Sequence, residues 1–143
     1  MFRKISEKDK NEYLSMAKDF YSSPAVSHNI PTQFIENTFD ELMKSDTYAD
    51  CIIFDENEMI VGYSLLAKTF SQEAGGYVIW IEEIFVKENY RGKGIGKKFF
   101  EYLDKNYSFS RLRLEAEKNN DKAIKLYKSL GFEELGYLQY IKE

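Results

Sequence analysis

Cysteine, histidine and proline are scarce in this chain: one Cys, one His and two Pro among 143 residues. The lone cysteine, Cys51, excludes an intrachain disulfide and any cysteine-built metal cluster. It sits in an apolar strand-like run and reads as a core residue. No nucleophilic Ser-His or Cys-His pair can be read from the chain, and no metal is expected. No stretch reaches the about 18 apolar residues that a membrane helix needs. The opening MFRKISEKDKNEY lacks the apolar core of a secretory signal. The expectation is a cytoplasmic protein with no membrane partner. Positive charge is not in excess either: 20 Lys and Arg stand against 24 Asp and Glu, a net charge of −4. General nucleic-acid binding calls for a basic stripe, so no nucleic-acid partner is expected. Repeats, linkers and low-complexity tracts are absent.

Apolar side chains are plentiful, at 43% of the chain, and aromatics make up 16%, enough to build a sizeable core. The length suggests a single domain over 1–143. Phe2 to Ile5 reads as a short strand, and a helix follows from Glu7 with Ser6 as N-cap. Tyr13, Leu14, Ala17, Phe20 and Tyr21 give that helix one apolar face. Ser22-Ser23-Pro24 ends it, and the next loop carries His28. Pro31 starts a second helix, with Phe34, Ile35, Thr38, Phe39 and Leu42 at helical spacing. Three long strands follow as a meander: Tyr48 to Phe54, Met59 to Phe70 and Tyr77 to Val86. A helix from about Gly94 to Asn106, a strand over Arg111 to Glu115 and a helix over Asn120 to Leu130 come next. Gly131 stops the last helix. Phe132 to Ile141 is expected to hold the final strand or strands. The order β-α-α-β-β-β-α-β-α-β predicts a mixed α/β sheet, antiparallel early and parallel near the glycines.

Those glycines are the densest feature. Arg91-Gly92-Lys93-Gly94-Ile95-Gly96 lies between a strand and a helix, and Arg91, Lys93, Lys97 and Lys98 put four cations within eight residues. Glycine lets backbone approach a ligand closely, and a helix start offers free N–H groups and a positive dipole end. A phosphate-bearing ligand fits that combination. Two glycine motifs of that type fail on named positions. A Walker A loop needs Ser or Thr where Lys98 stands. A Rossmann fingerprint needs a third glycine where Lys97, or in the other frame Phe99, stands.

The remaining pattern, Arg-x-x-Gly-x-Gly over Arg91 to Gly96, resembles the acyl-CoA-binding loop of the GNAT superfamily of N-acetyltransferases. Asn120-Asp121-Lys122-Ala123, Leu126-Tyr127 and Gly131-Phe132 resemble that family's second motif, N-x-x-A-x-x-x-Y with a following G-F. The element order matches as well, so the resemblance spans essentially the whole chain. It implies an N-acetyltransferase that moves an acetyl group from acetyl-CoA to a primary amine of a small molecule or peptide, by direct attack in a ternary complex. Possible homodimers are also implied. It assigns the N–H groups of about Gly92 to Lys97, Ile95 included, to the pyrophosphate. The cations Arg91, Lys93, Lys97 or Lys98 fall to the outer phosphates. The backbone of Ile84, Phe85 and Val86 falls to the pantetheine arm, where the strand splays from its parallel neighbour. Asn120 is a helix cap, a cofactor contact or both.

Acetyl transfer has two proton problems. An alkyl amine of pKa about 10 must lose a proton before it attacks, and a leaving thiolate must gain one. Tyr127 holds the family's position for the acid that protonates the thiolate. Glu82 and Glu83 are the candidate bases. Adjacent strand residues face opposite ways, and alternation leaves the choice open: Val78 and Trp80 share parity with Glu82, while Ile79, Ile81 and Phe85 share it with Glu83. His28 and Glu73 are weaker candidates for contact with the acceptor. Two other readings stand beside the enzyme: a non-catalytic acyl-CoA-binding or regulatory module on the same fold, and a nucleotide-binding oxidoreductase.

Overall fold

The computed structural model describes all residues from 1 to 143. Its strands are β1 (Phe2–Lys4), β2 (Ala49–Glu56), β3 (Met59–Ser71), β4 (Gly76–Val86) and β5 (Arg111–Leu114). The helices are α1 (Lys10–Tyr21), α2 (Thr32–Lys44), α3 (Ile95–Asn106) and α4 (Asp121–Ser129). The sheet order is β1-β2-β3-β4-β5. β1 to β4 are antiparallel neighbours, and β5 runs parallel to β4. This is the expected mixed α/β sheet with a parallel pair beside the glycines. No helix is long and apolar enough to cross a membrane.

Each face of the sheet has its own core. On one side Tyr13, Met16, Ala17 and Phe20 of α1 and Ile35 and Phe39 of α2 pack on Cys51, Ile53, Tyr63 and Phe85. On the other, Ile95, Phe99, Phe100 and Leu103 of α3 pack on Ile52, Phe54, Val61, Leu66, Ile79 and Ile81. Each fully buried side chain of this kind contributes roughly 1.5–3 kcal/mol. Cys51 is core, and burial pushes its thiol pKa up. Phe34, read as part of the apolar face of α2, is 55% exposed, because α2 turns only Ile35 and Phe39 fully inward. The start of α1 is held by Asp9. Its carboxylate accepts from the N–H and hydroxyl of Ser6 at 2.8 and 3.0 Å and pairs with Arg3 at 2.7 and 2.9 Å.

Two departures from regularity shape the site. Leu65 and Leu66 of β3 face Glu83 and Ile81 of β4, so Glu82 is an unpaired bulge residue. The β4–β5 ladder stops at Ile81 and Leu114, so the two strands fork just where Glu82 begins. The expected splay is therefore present.

The expected last strand is not. Residues 133–143 form no helix or strand, and no backbone hydrogen bond ties them to β5. A strand exists only through its ladder. Here the tail is attached mainly by the Tyr137 hydroxyl, which donates to Glu73 at 3.0 Å.

Candidate active site

The loop after β4 is built for an anionic ligand. Gly92 and Gly94 have φ of 74° and 78°, in the left-handed region, and a Cβ added at either would meet nothing within 4 Å. Gly94 is the N-cap of α3. The N–H groups of Gly92, Lys93, Gly94, Ile95, Gly96 and Lys97 donate to no backbone carbonyl. A helix leaves its first N–H groups unpaired, and here the loop before it adds more, all beside exposed Arg91, Lys93, Lys97 and Lys98. The residues present thus fit a diphosphate. Ile95 takes part only through its backbone, because its side chain is buried under α3.

A cavity of about 250 Å³ opens beside this loop. Ile84, Phe85, Val86, Arg91 and Asn120 line it together with Phe20, Ser23, Pro24 and Ala25. The last four come from the end of α1 and the loop after it, and the motifs gave no sign of them individually. Arg91 is tied back onto the strand: its Nε donates to the Val86 carbonyl at 2.7 Å, and its guanidinium lies 5.6 Å from the Phe85 ring centre. Lys93 lies over the Tyr90 ring at 5.2 Å. The Asn120 side chain accepts from the Ala123 N–H at 3.4 Å, so Asn120 caps α4 and also faces the cavity.

The bulge inverts side-chain alternation along β4. Ile79 and Ile81 belong to the α3-side core, whereas Phe85 belongs to the α1/α2-side core. Glu83 turns to the α1/α2 side, where it is 5% exposed and accepts a 2.7 Å hydrogen bond from the Tyr63 hydroxyl. Ser64 donates to the Glu83 carbonyl at 2.8 Å, fixing the backbone at the bulge. Burial raises the Glu83 pKa most, the phenols of Tyr63 and Tyr21 pull it down, and Glu82 adds a further rise. Glu82 reaches solvent at the fork. Crowding by protein raises its pKa first and the charge of Glu115 second. Glu115 directly follows Leu114, the last partner of Ile81, so it stands across the fork from Glu82.

Tyr63, Ser64 and Tyr21 were not found from the sequence. A buried carboxylate needs hydrogen-bond donors, but identifying them required the β3–β4 register, which the bulge shifts. Tyr127 lies on α4 in an aromatic cluster, 6.2 Å from the Phe100 ring and 5.9 Å from that of Phe132. Only burial raises its pKa. Two weaker candidates stand apart. Glu73 sits in the β3–β4 turn, at the opposite end of β4 from the glycines, bound to Arg111 at 3.1 Å and to Tyr137. His28 is exposed and close only to the Ser27 hydroxyl, at 3.4 Å.

Comparison with known proteins gives matching results. The profile of the acetyltransferase (GNAT) family matches residues 12–132. The chain is 26% identical to a thialysine N-epsilon-acetyltransferase of Mus musculus, over 93% of this chain and 84% of that one. It is 28% identical to a spermine/spermidine N(1)-acetyltransferase of Bacillus subtilis (strain 168), over 80% of each. Among solved structures, AAC(6')-Iy in complex with a bisubstrate analog, CoA-S-monomethyl-acetylneamine, superposes with a TM-score of 0.81 at 15% identity. That match covers 100% of this chain and 97% of the other, a likeness of fold.

Proposed function

Because the chain belongs to the acetyltransferase (GNAT) family and is thus an acetyl-CoA-dependent N-acetyltransferase, we propose that it acetylates a cationic primary amine by direct attack in a ternary complex. The observation that carries this reading is the run of unbonded N–H groups from Gly92 to Lys97, set beside the forked end of β4. The N–H run and the neighbouring cations would hold the pyrophosphate and outer phosphates. The backbone of Ile84 to Val86, free of β5, would hold the pantetheine arm. Acetyl-CoA supplies an activated acetyl thioester.

The chain's own residues handle the protons. Glu83 is the base: desolvation raises its proton affinity, and Tyr63 orients its carboxylate. It draws the amine proton through water. Glu82, at the bulge, meets the ammonium form and positions it, with Glu115 across the fork adding negative charge. This acidic mouth favours alkyl diamines and polyamines as the first acceptors to test. Tyr127 donates to the leaving sulfur. Its hydroxyl has no hydrogen-bond partner in the protein, and its raised pKa keeps it protonated at neutral pH.

The test is steady-state acetyl transfer over an amine panel with wild type, Tyr127→Phe and Glu83→Gln. Each variant is expected to lose about 10²-fold or more in kcat, in line with general acid–base contributions. Calorimetric affinity for acetyl-CoA should be retained in Glu83→Gln. Unchanged rates in both variants would overturn the residue assignments. Tight acetyl-CoA binding without turnover of any amine would overturn the choice of acceptor class.

A further inference from the structure

The open edge of β5 and the unpaired tail after Phe132 are complementary features on one chain. β5 ends the sheet, so its outer N–H and C=O groups have no strand partner. An open edge of this kind is a template for another strand. Residues 133–143 (EELGYLQYIKE) leave Leu135, Tyr137, Leu138, Tyr140 and Ile141 between 41% and 86% exposed. So large an exposed apolar stretch marks an interaction surface. The chain's own tail does not take the edge, since no backbone hydrogen bond joins it to any strand.

We propose that the tail of one copy adds as a strand to the β5 edge of a second copy, reciprocally, giving a two-fold dimer. Three observations favour a second copy as the occupant. The signs of charge match: Arg111 and Arg113 stand on β5, and the tail carries Glu133 and Glu134. The place matches too. Glu73 binds both Arg111 and Tyr137, so the tail passes the start of β5, next to exposed Phe70 and Tyr77 of the β3–β4 hairpin. Finally, the area suffices. The exposed tail side chains offer roughly 700 Å² per copy, and two tails reach the size range of stable interfaces. Edge and strand occur once in every copy, so the exchange closes on itself as an isologous dimer.

The experiment is sedimentation velocity of the full chain across a low-to-high micromolar series, with wild type and a Leu138→Asp/Ile141→Asp double variant. Both substituted side chains are exposed, so the core is untouched and circular dichroism should be unchanged. Amide hydrogen exchange of Arg111 to Leu114 is measured on the same samples. Wild type is expected to sediment at twice the chain mass, and the variant at the chain mass. The β5 amides should exchange at least about tenfold more slowly in the wild-type dimer than in the variant. A wild type that stays monomeric throughout would overturn the proposal, whether its β5 amides are protected by its own tail or not protected at all. Equal dimerisation of the double variant would also overturn it, as would a dimer whose β5 amides exchange like those of the monomer.

Discussion

Glu83 is nearly as buried as the core around it, yet its carboxylate contacts phenols rather than a cation. Desolvation dominates, so its pKa lies above the ordinary 4.5. Activity that depends on the carboxylate form must therefore rise with pH through that elevated value. In the pH profile of kcat/KM, the acidic limb should lie above 4.5 in wild type and vanish in Glu83→Gln. Stability has the opposite sign. A carboxyl whose folded pKa is raised favours the folded state below its unfolded pKa, and that contribution is lost as pH climbs through the folded value. Glu83→Gln should therefore keep or raise the thermal midpoint at pH 7 while slowing transfer. Asp9 is the contrary case. Arg3 holds it at about 2, down from 3.8. Its stabilisation is present above 3.8 and is lost as pH falls toward about 2. Asp9→Asn should cost roughly 2 kcal/mol at pH 7 by urea denaturation. The difference from wild type should shrink as acid protonates the wild-type carboxyl.

Among the elements, β4 and the start of α3 decide the site. The one-residue bulge at Glu82 flips alternation, places Glu83 and Phe85 on the α1/α2 side and coincides with the end of the β5 ladder. At the start of α3, Gly94 occupies left-handed backbone with open space where a Cβ would stand. Gly94→Ala should cost about 1–2 kcal/mol in backbone strain, and it puts a methyl group into the anion cradle. Acetyl-CoA affinity by calorimetry should drop about tenfold or more, equivalent to about 1.4 kcal/mol. The glycine loop and the second motif were legible in the sequence because both consist of consecutive residues whose types carry the geometry. The choice between Glu82 and Glu83 was not legible. It depends on the register between two strands, and a bulge leaves no local composition that marks it. The final strand failed for a related reason: apolar content suggested a strand, but pairing needs a partner edge.

At the scale of the whole molecule, ligand and fold are linked. Acetyl-CoA binding only the folded chain adds about 2.7 kcal/mol at a hundred times its Kd. For a chain of this size that should raise Tm by roughly 8 °C. NAD at equal concentration should leave Tm unchanged, since the third glycine of a dinucleotide fingerprint is missing. Differential scanning fluorimetry reads both. A shift with NAD alone would contradict the assignment of the glycine loop.

The order of helices and strands, the two cores, the phosphate-binding loop and the family resemblance were all determined by the sequence. Each rests on spacing along the chain: helical and strand periods, and glycines and cations at fixed offsets. Tertiary structure alone decided which glutamate turns inward, which phenols hold it, that Arg91 binds back to Val86, and that the tail is left unpaired beside β5. These depend on register, bulge and edge, where residues far apart in the chain meet. The loop from Arg91 to Gly96 therefore declares its ligand, whereas the base that serves it becomes visible only once β3 and β4 are paired.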